Sequence, residues 1–203
     1  RIFFTIFAET PDIVDIALSN IIMPLAVGGI FVGTIMAVYE ADIKKMFAHS
    51  SVAQIGYIAL GLALATPAGI SAGFIHIANH ALIKGGIFMA IGGFVAALGA
   101  RASLETITGV GRRLPITATA FLICGLSLAG LPLTAGFISK LYLVRAILET
   151  DSYVILALVL ISSALSVVYL WKVMEVMWMQ PAPARSPKLV ENPAIYLPLW
   201  IVA

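Results

Sequence analysis

Apolar positions run in long unbroken blocks along this chain, not in the alternation of a surface strand or the single stripe of a surface helix, and the blocks have the length of membrane spans. A helix crosses the hydrocarbon core with about 20 apolar residues. The first block, 16–39, follows an acidic approach of Glu9, Asp12 and Asp15 and ends at the charged turn Glu40-Ala41-Asp42-Ile43-Lys44-Lys45. The second, 49–65, is short for a span and closes on Thr66-Pro67-Ala68-Gly69, a helix breaker without charge. The third, 70–98, contains Gly73, Gly85, Gly86, Gly92 and Gly93, small residues that permit close helix packing in lipid. A basic loop leads to the fourth, 115–148, and the fifth covers 153–179. A proline-rich linker, 181–193, precedes 194–203, the start of a further span. The expected fold class is all-α: a polytopic transmembrane helix bundle with about five full spans plus a partial sixth, residues 1–180 forming one membrane unit.

The fourth block is too long for one plain span, and its middle reads Leu128-Ala129-Gly130-Leu131-Pro132-Leu133-Thr134-Ala135-Gly136. Gly130, Pro132 and Gly136 remove backbone order and a hydrogen bond, which predicts a broken helix. Exposed backbone at membrane depth is tolerated only inside protein or beside a wet cavity. Charge in the loops alternates. Lys44 and Lys45, then Arg101, Arg112 and Arg113, then Arg185 and Lys188 fall on one side, against Glu9, Asp12, Asp15, Glu149 and Asp151 on the other, where only Arg1 and Arg145 are basic. The bias of Lys and Arg toward the cytoplasm predicts a multi-pass protein of the cell inner (plasma) membrane with these basic loops cytoplasmic.

Composition agrees: 61% of the 203 residues are hydrophobic and 11% charged, with a mean hydropathy of +1.06, far from a soluble domain. A net charge of +2, scattered over loops, leaves no footprint for nucleic acid. The single cysteine, Cys124, lies in an apolar run with no partner for a disulfide and no ligand-spaced neighbour for a metal. The chain has no initiating Met or signal peptide and stops inside a hydrophobic stretch, so we expect a piece of a longer protein. No cofactor and no catalytic chemistry are expected in it.

Chemistry is concentrated in the third block. His76, His80 and Lys84 stand at i, i+4 and i+8 on one helix face, with about 6 Å between neighbours. A cation at the bilayer centre costs at least ~2.5–3.5 kcal/mol on insertion scales, and burial disfavours the charged form of an amine, which suits proton exchange. Snorkelling is the competing reading, but Lys84 has about 20 Å of helix on either side. Lys140 stands just after the predicted break, an arrangement like the discontinuous-helix ion sites of transporters. Gln54, Tyr57, Asn79, Ser127, Thr134 and Ser139 are polar residues that either line a water wire or hold helices together. Lys172 and Glu175 are read as interfacial. His76 and His80 have metal-ligand spacing, but no acidic or cysteine partner is nearby and Lys84 repels a cation, so no metal site is expected.

With these residues in view, the chain resembles the antiporter-like, proton-conducting subunits shared by respiratory complex I and the Mrp-type monovalent cation/proton antiporters. The match is carried by Asp42-Ile43-Lys44-Lys45 with Ser50-Ser51-Val52-Ala53-Gln54-Ile55-Gly56, by Asn79-His80-Ala81-Leu82-Ile83-Lys84, and by Leu126 to Pro132 with Gly136-Phe137-Ile138-Ser139-Lys140, which with the intervening residues cover about half the chain. The resemblance implies two inverted five-helix repeats, each with a broken helix, joined by a hydrophilic axis; this chain is similar to the second repeat and the start of the following helix. It further implies that Lys84 and His80 are the axis lysine and histidine of the second half-channel, with Lys140 at its outlet; His76 is a relay candidate from its place on the same helix face alone. His49, where the family usually has tyrosine, and Gln54, where some members have histidine, depart from the pattern. The implied function is proton translocation as a subunit of a monovalent cation/proton antiporter. The alternative is a proton-pumping membrane subunit of an NADH-quinone oxidoreductase or a related hydrogenase-type respiratory complex. The implied partners are other membrane subunits, the lipid bilayer, protons and, in the antiporter reading, Na⁺. A packing-only scaffold and an organic-solute carrier are the remaining readings.

Overall fold

Local signals in the chain decide where each apolar block becomes helix. The computed structural model describes residues 18–182 and 189–203. The acidic approach at Glu9, Asp12 and Asp15, the first residues of the 16–39 block, and Arg185 and Lys188 of the linker lie outside the described residues. Helix α1 (Met23–Tyr39) follows a π-helical turn, Leu18–Ile22. Helix α2 (Ile43–Ala63) starts six residues before the apolar pattern does, because the Asp42 carboxylate accepts from the Lys45 amide at 3.1 Å and caps its first turn. Helix α3 (Pro67–Leu98) begins inside the cluster read as a breaker: Thr66 caps it by accepting from the Gly69 amide at 3.0 Å, and Pro67 occupies the first turn, where a missing N–H costs nothing.

A four-residue turn, α4 (Val110–Arg113), leads to α5 (Pro115–Ala129) and α6 (Ala135–Leu148), the two halves of the fourth block. Helix α7 (Tyr153–Met174) runs on as a π-helical segment, Glu175–Met179, and α8 (Pro193–Val202) follows the linker. Four helical segments, Asn20–Tyr39, Ile43–Ala63, Pro67–Leu98 and Tyr153–Met179, are long and apolar enough to cross a membrane. The architecture is an all-α, polytopic membrane bundle.

The basic loops meet on one end of the bundle. Ile43 N–H donates to the Ala102 carbonyl and Leu104 N–H to that of Ala41, both at 3.0 Å, and Gly109 N–H reaches the Val176 carbonyl at 3.1 Å. The Glu40 carboxylate accepts from the backbone amides of Asp42 and Ala41, which hold its carboxyl below the usual range, and it lies 3.8 Å from His49 Nε2.

Small residues set the helix spacing. A Cβ on Gly56 would lie 2.8 Å from the Ala26 carbonyl, and one on Gly61 would lie 2.9 Å from that of Gly69, so α1–α2 and α2–α3 touch backbone to backbone. The α3 glycines behave less uniformly than expected: Gly86 packs on Cys124 Sγ and Gly93 on Ile195, whereas Gly85 and Gly92 face open space. Two apolar cores result. One gathers Phe47, Phe94, Phe121 and Tyr169 toward the basic-loop end, and the other gathers Tyr57, Leu60, Ile147 and Val159.

Gly56→Ala is therefore expected to lower stability by about 1–3 kcal/mol through overpacking, read as an earlier thermal transition in detergent. Gly85→Ala, with open space around it, should leave the transition unchanged or raise it slightly.

Candidate functional site

The site begins with a helix, α5, that ends inside an apolar block at Ala129. The last carbonyls of α5 have no intrahelical partners. Gly130, at φ 85°, turns the chain, and the amides of Gly130 and Leu131 fold back to the Leu126 carbonyl at 3.0 and 3.1 Å. The carbonyls of Leu128 and Ala129 are taken by Lys140 Nζ at 3.2 and 3.0 Å, placing an ammonium at the negative end of the α5 dipole. A side chain at Gly130 would collide with the Lys140 stem, its Cβ 2.8 Å from Cδ. At the start of α6, Thr134 Oγ1 accepts from Phe137 N–H at 3.3 Å and Gly136 N–H donates to Ser127 Oγ at 3.2 Å. The Ser127 carbonyl occupies the space a Cβ on Gly136 would need. Pro132 lies exposed in the connection between the two half-helices.

Next to the break, α3 contributes His76. Its Nε2 meets Gln54 Oε1 at 3.0 Å and its Nδ1 meets Ser139 Oγ at 2.8 Å. The Tyr57 ring stands edge-on to the imidazole at a centroid distance of 5.8 Å, and Lys140 Nζ lies 5.2 Å from the same ring's centroid. Ser139 has a single hydroxyl proton and two acceptors in reach, His76 Nδ1 and, at 3.1 Å, the Gly136 carbonyl. With Gln54 Oε1 fixing a proton on Nε2, a neutral His76 takes the Ser139 proton, whereas a charged His76 donates to Ser139 and frees that proton for Gly136. Asn79 Nδ2 donates to the Ala135 carbonyl at 2.8 Å. A cavity of about 180 Å³ opens beside the break, lined by Asn79, Cys124, Ser127, Thr134 and Ala135 among others, with room for several waters.

Lys84 lies elsewhere. It is 6% exposed, and its ammonium reaches into α2, donating to the Phe47 carbonyl and to Ser50 Oγ, with the Phe47 and Phe88 ring centroids 5.2 and 5.9 Å away. The Phe47 carbonyl also accepts from Ser50 and Ser51 Oγ at 3.0 Å each. Neither Lys84 nor Lys140 has a carboxylate partner among the described residues. His80, between His76 and Lys84 in the helix, is half-buried with Nδ1 enclosed and unpartnered; Gln54 Nε2 is in the same condition. The geometry joins His76, Gln54, Ser139, Tyr57 and Lys140 in one cluster and gives Lys84 a separate seat on Ser50.

Several polar residues here escape a reading of the sequence. Ser50 is visible only within a motif, and Thr34, Ser162, Ser163, Ser166 and Tyr169 look like isolated polar atoms in apolar spans. The signal available is the stripe at 162, 166 and 169, spaced i, i+4 and i+7 on α7. Lys172 continues that stripe and donates to the Val38 carbonyl at 2.7 Å, so it is tied to the end of α1 as well as lying near the interface.

Comparison with known proteins bears on what this cluster belongs to. Residues 2–166 match the family model described as NADH:quinone oxidoreductase/Mrp antiporter, TM. NADH-quinone oxidoreductase subunit N of Desulforudis audaxviator is 40% identical over 159 residues, 78% of this chain and 32% of that protein. A chain in the structure of the membrane-bound sulfane sulfur reductase, an archaeal respiratory membrane complex, superposes with a TM-score of 0.82 at 34% identity, covering 92% of this chain and 38% of that one. One from the Mrp complex of Dietzia sp. DQ12-45-1b gives 0.76 at 30% identity, covering 82% and 31%. The chain spans about a third of the length of the curated relatives it matches.

Lys140→Met should leave the Leu128 and Ala129 carbonyls unpaired and cost about 1–3 kcal/mol. The check is thermal unfolding in detergent together with faster amide exchange in the last turn of α5. Lys140→Arg, which keeps the donor, should lose less than half as much.

Proposed function

The chain belongs to the NADH:quinone oxidoreductase/Mrp antiporter membrane family, and from that premise we propose that it carries protons through a half-channel in which Lys84, His80, His76 and Lys140 exchange them. The observation that supports this most is the kind of partner each lysine has. Lys84 donates to a carbonyl and a hydroxyl, and Lys140 to two carbonyls. These acceptors steady an ammonium without pinning its proton, because loss of that proton leaves no unpaired anion behind. A structural salt bridge would do the opposite.

The route runs from Lys84 past His80, whose enclosed Nδ1 awaits a donor or water, to His76 and then to Lys140 at the break. Gln54, Tyr57 and Ser139 hold the imidazole; Asn79, Ser127 and Thr134 line the cavity side, where water completes the path. Gly130, Pro132 and Gly136 shape the break that keeps carbonyls free for Lys140. Energy comes from partner membrane subunits.

The protein is a multi-pass membrane protein; its proposed home is the cell inner membrane, with the basic loops in the cytoplasm. The likeness to the Mrp complex supports a subunit of a monovalent cation/proton antiporter, and the likeness to subunit N supports a redox-driven pump. Dependence on Na⁺ separates the two.

Lys84→Met and Lys140→Arg, placed in a full-length subunit in its assembled complex in proteoliposomes, are expected to reduce proton translocation by at least roughly tenfold, the scale of losing a positioned proton-transfer group. Arginine keeps the cap of α5 but does not release its proton, so its failure isolates proton exchange from structure. Wild-type translocation in both variants sinks the relay. A rate that follows external Na⁺ assigns the antiporter form, and a Na⁺-independent rate that follows electron transfer assigns the redox form.

A further inference from the structure

Helix α5 begins without a cap of its own. Pro115 has no N–H, Ala118 N–H donates to the Leu114 carbonyl at 2.9 Å, and the cap position is held by Leu114, whose side chain offers no acceptor. The two amides left over, those of Ile116 and Thr117, both donate to Glu191 Oε1, at 2.8 and 3.4 Å, and Thr117 Oγ1 donates to Oε2 at 2.6 Å. A carboxylate thus sits at the positive end of the α5 dipole, brought there by the stretch that leads into α8. The next residue, Asn192, caps α8 in turn, accepting from Ala194 N–H at 3.0 Å. Two consecutive residues therefore cap two helices and pin their first turns together.

From that pin α8 runs antiparallel to α3 and meets it at two glycines. A Cβ on Gly93 would lie 3.0 Å from Ile195 Cγ2, and one on Gly86 would lie 3.5 Å from Val202 Cγ1 and 3.6 Å from Leu199 Cδ1, with Leu199 fully buried. The spacing from Gly86 to Gly93 equals that from Ile195 to Val202, so side chains of one helix fall on gaps in the other. A change of register by one residue would turn them about 100° away. At its other end α8 contributes Val202 and Ala203 to the wall of the cavity beside the break, together with Cys124, Ser127 and Thr134.

We infer that Glu191 is a positioning residue for this cavity: by capping α5 it sets the register of α8, and α8 so held is the wall that closes the cavity. The inference rests on the proton-translocation reading only in taking the cavity as part of that path; the clamp itself concerns access. With the cap in place, Val202 stays against Gly86. With the cap lost, α8 is held by apolar packing, which is non-directional and does not resist a slide as hydrogen bonds do. A cap that served helix stability alone would lower the thermal transition and leave the cavity as closed as before, so the measurement must read the cavity.

Cys124, the single cysteine of the chain, lies in the cavity wall and reports on it. The full-length subunit, in its assembled complex in proteoliposomes, is treated with methyl methanethiosulfonate, and labelling is followed on the peptide that contains Cys124. Glu191→Ala is expected to label at least roughly fivefold faster than wild type, the scale of a lost N-terminal cap. Thr117→Val keeps the shape and removes the hydroxyl bond; it should label at least roughly threefold faster, and it carries the test if Glu191→Ala fails to assemble. Glu191→Gln, whose amide oxygen still accepts from Ile116 and whose NH₂ donates to Thr117 Oγ1, should restore the wild-type rate. Passive proton leak should rise in step with labelling. Labelling within about twofold of wild type, in whichever of Glu191→Ala and Thr117→Val assembles, overturns the clamp. If labelling rises as expected while the leak stays at the wild-type level, the clamp stands and the place of the cavity in the proton path falls.

Discussion

The contact between Lys140 and the last carbonyls of α5 is the constraint on which the rest of the site depends. A helix that stops inside a membrane protein exposes carbonyls that need donors, each costing several kcal/mol if buried and left alone. Gly130 and Leu131 fold back to satisfy one carbonyl, and Lys140 satisfies two more from the first half of the next helix. The break and the cation justify each other: the carbonyls need a donor, and the ammonium needs acceptors that are not water. Gly130 and Gly136 follow from the same requirement, since the lysine stem fills the space beside one and the Ser127 carbonyl fills the space beside the other. The chain has to come this close to itself for one side chain to close both half-helices.

Lys84 answers the same problem on an unbroken helix. With no free carbonyl on α3, it borrows one from α2, whose Phe47 carbonyl also receives two serine hydroxyls. The aromatic faces of Phe47 and Phe88 add attraction without a formal anion. Both lysines are thus stabilised by dipoles and rings, which attract the charged form only moderately. That is the condition under which the charge of one can bias the protonation of another through a low-dielectric interior.

How much of this is readable from the chain depends on the kind of signal. The long apolar helices, the break at Gly130 to Gly136 and the depth of Lys84 are legible because each signal is physically narrow. Long apolar runs need lipid or a large core around them, glycines beside a proline interrupt a helix, and cations far from helix ends cannot reach water along their own stems. Helix starts are less legible. Asp42 and Thr66 act through single hydrogen bonds to amides three residues on, which apolar periodicity does not register, so α2 and α3 begin earlier than the pattern indicates. The i, i+4, i+8 stripe puts His76, His80 and Lys84 on one face correctly but cannot say that neighbouring helices divide it, with His76 facing α6 and Lys84 facing α2. The serines of α7 are hardest to see. A serine in an apolar helix carries no weight until a second helix brings another hydroxyl to it, as α1 brings Thr34 to Ser162.

The bonding of Ser139 ties these pieces together. Its one proton serves either the Gly136 carbonyl, in the first turn of α6, or the His76 imidazole, and the next residue in the chain is Lys140, whose amine caps α5. The irregular backbone thus does more than free carbonyls: it puts the serine that meets His76 and the lysine that caps α5 at consecutive positions of one turn.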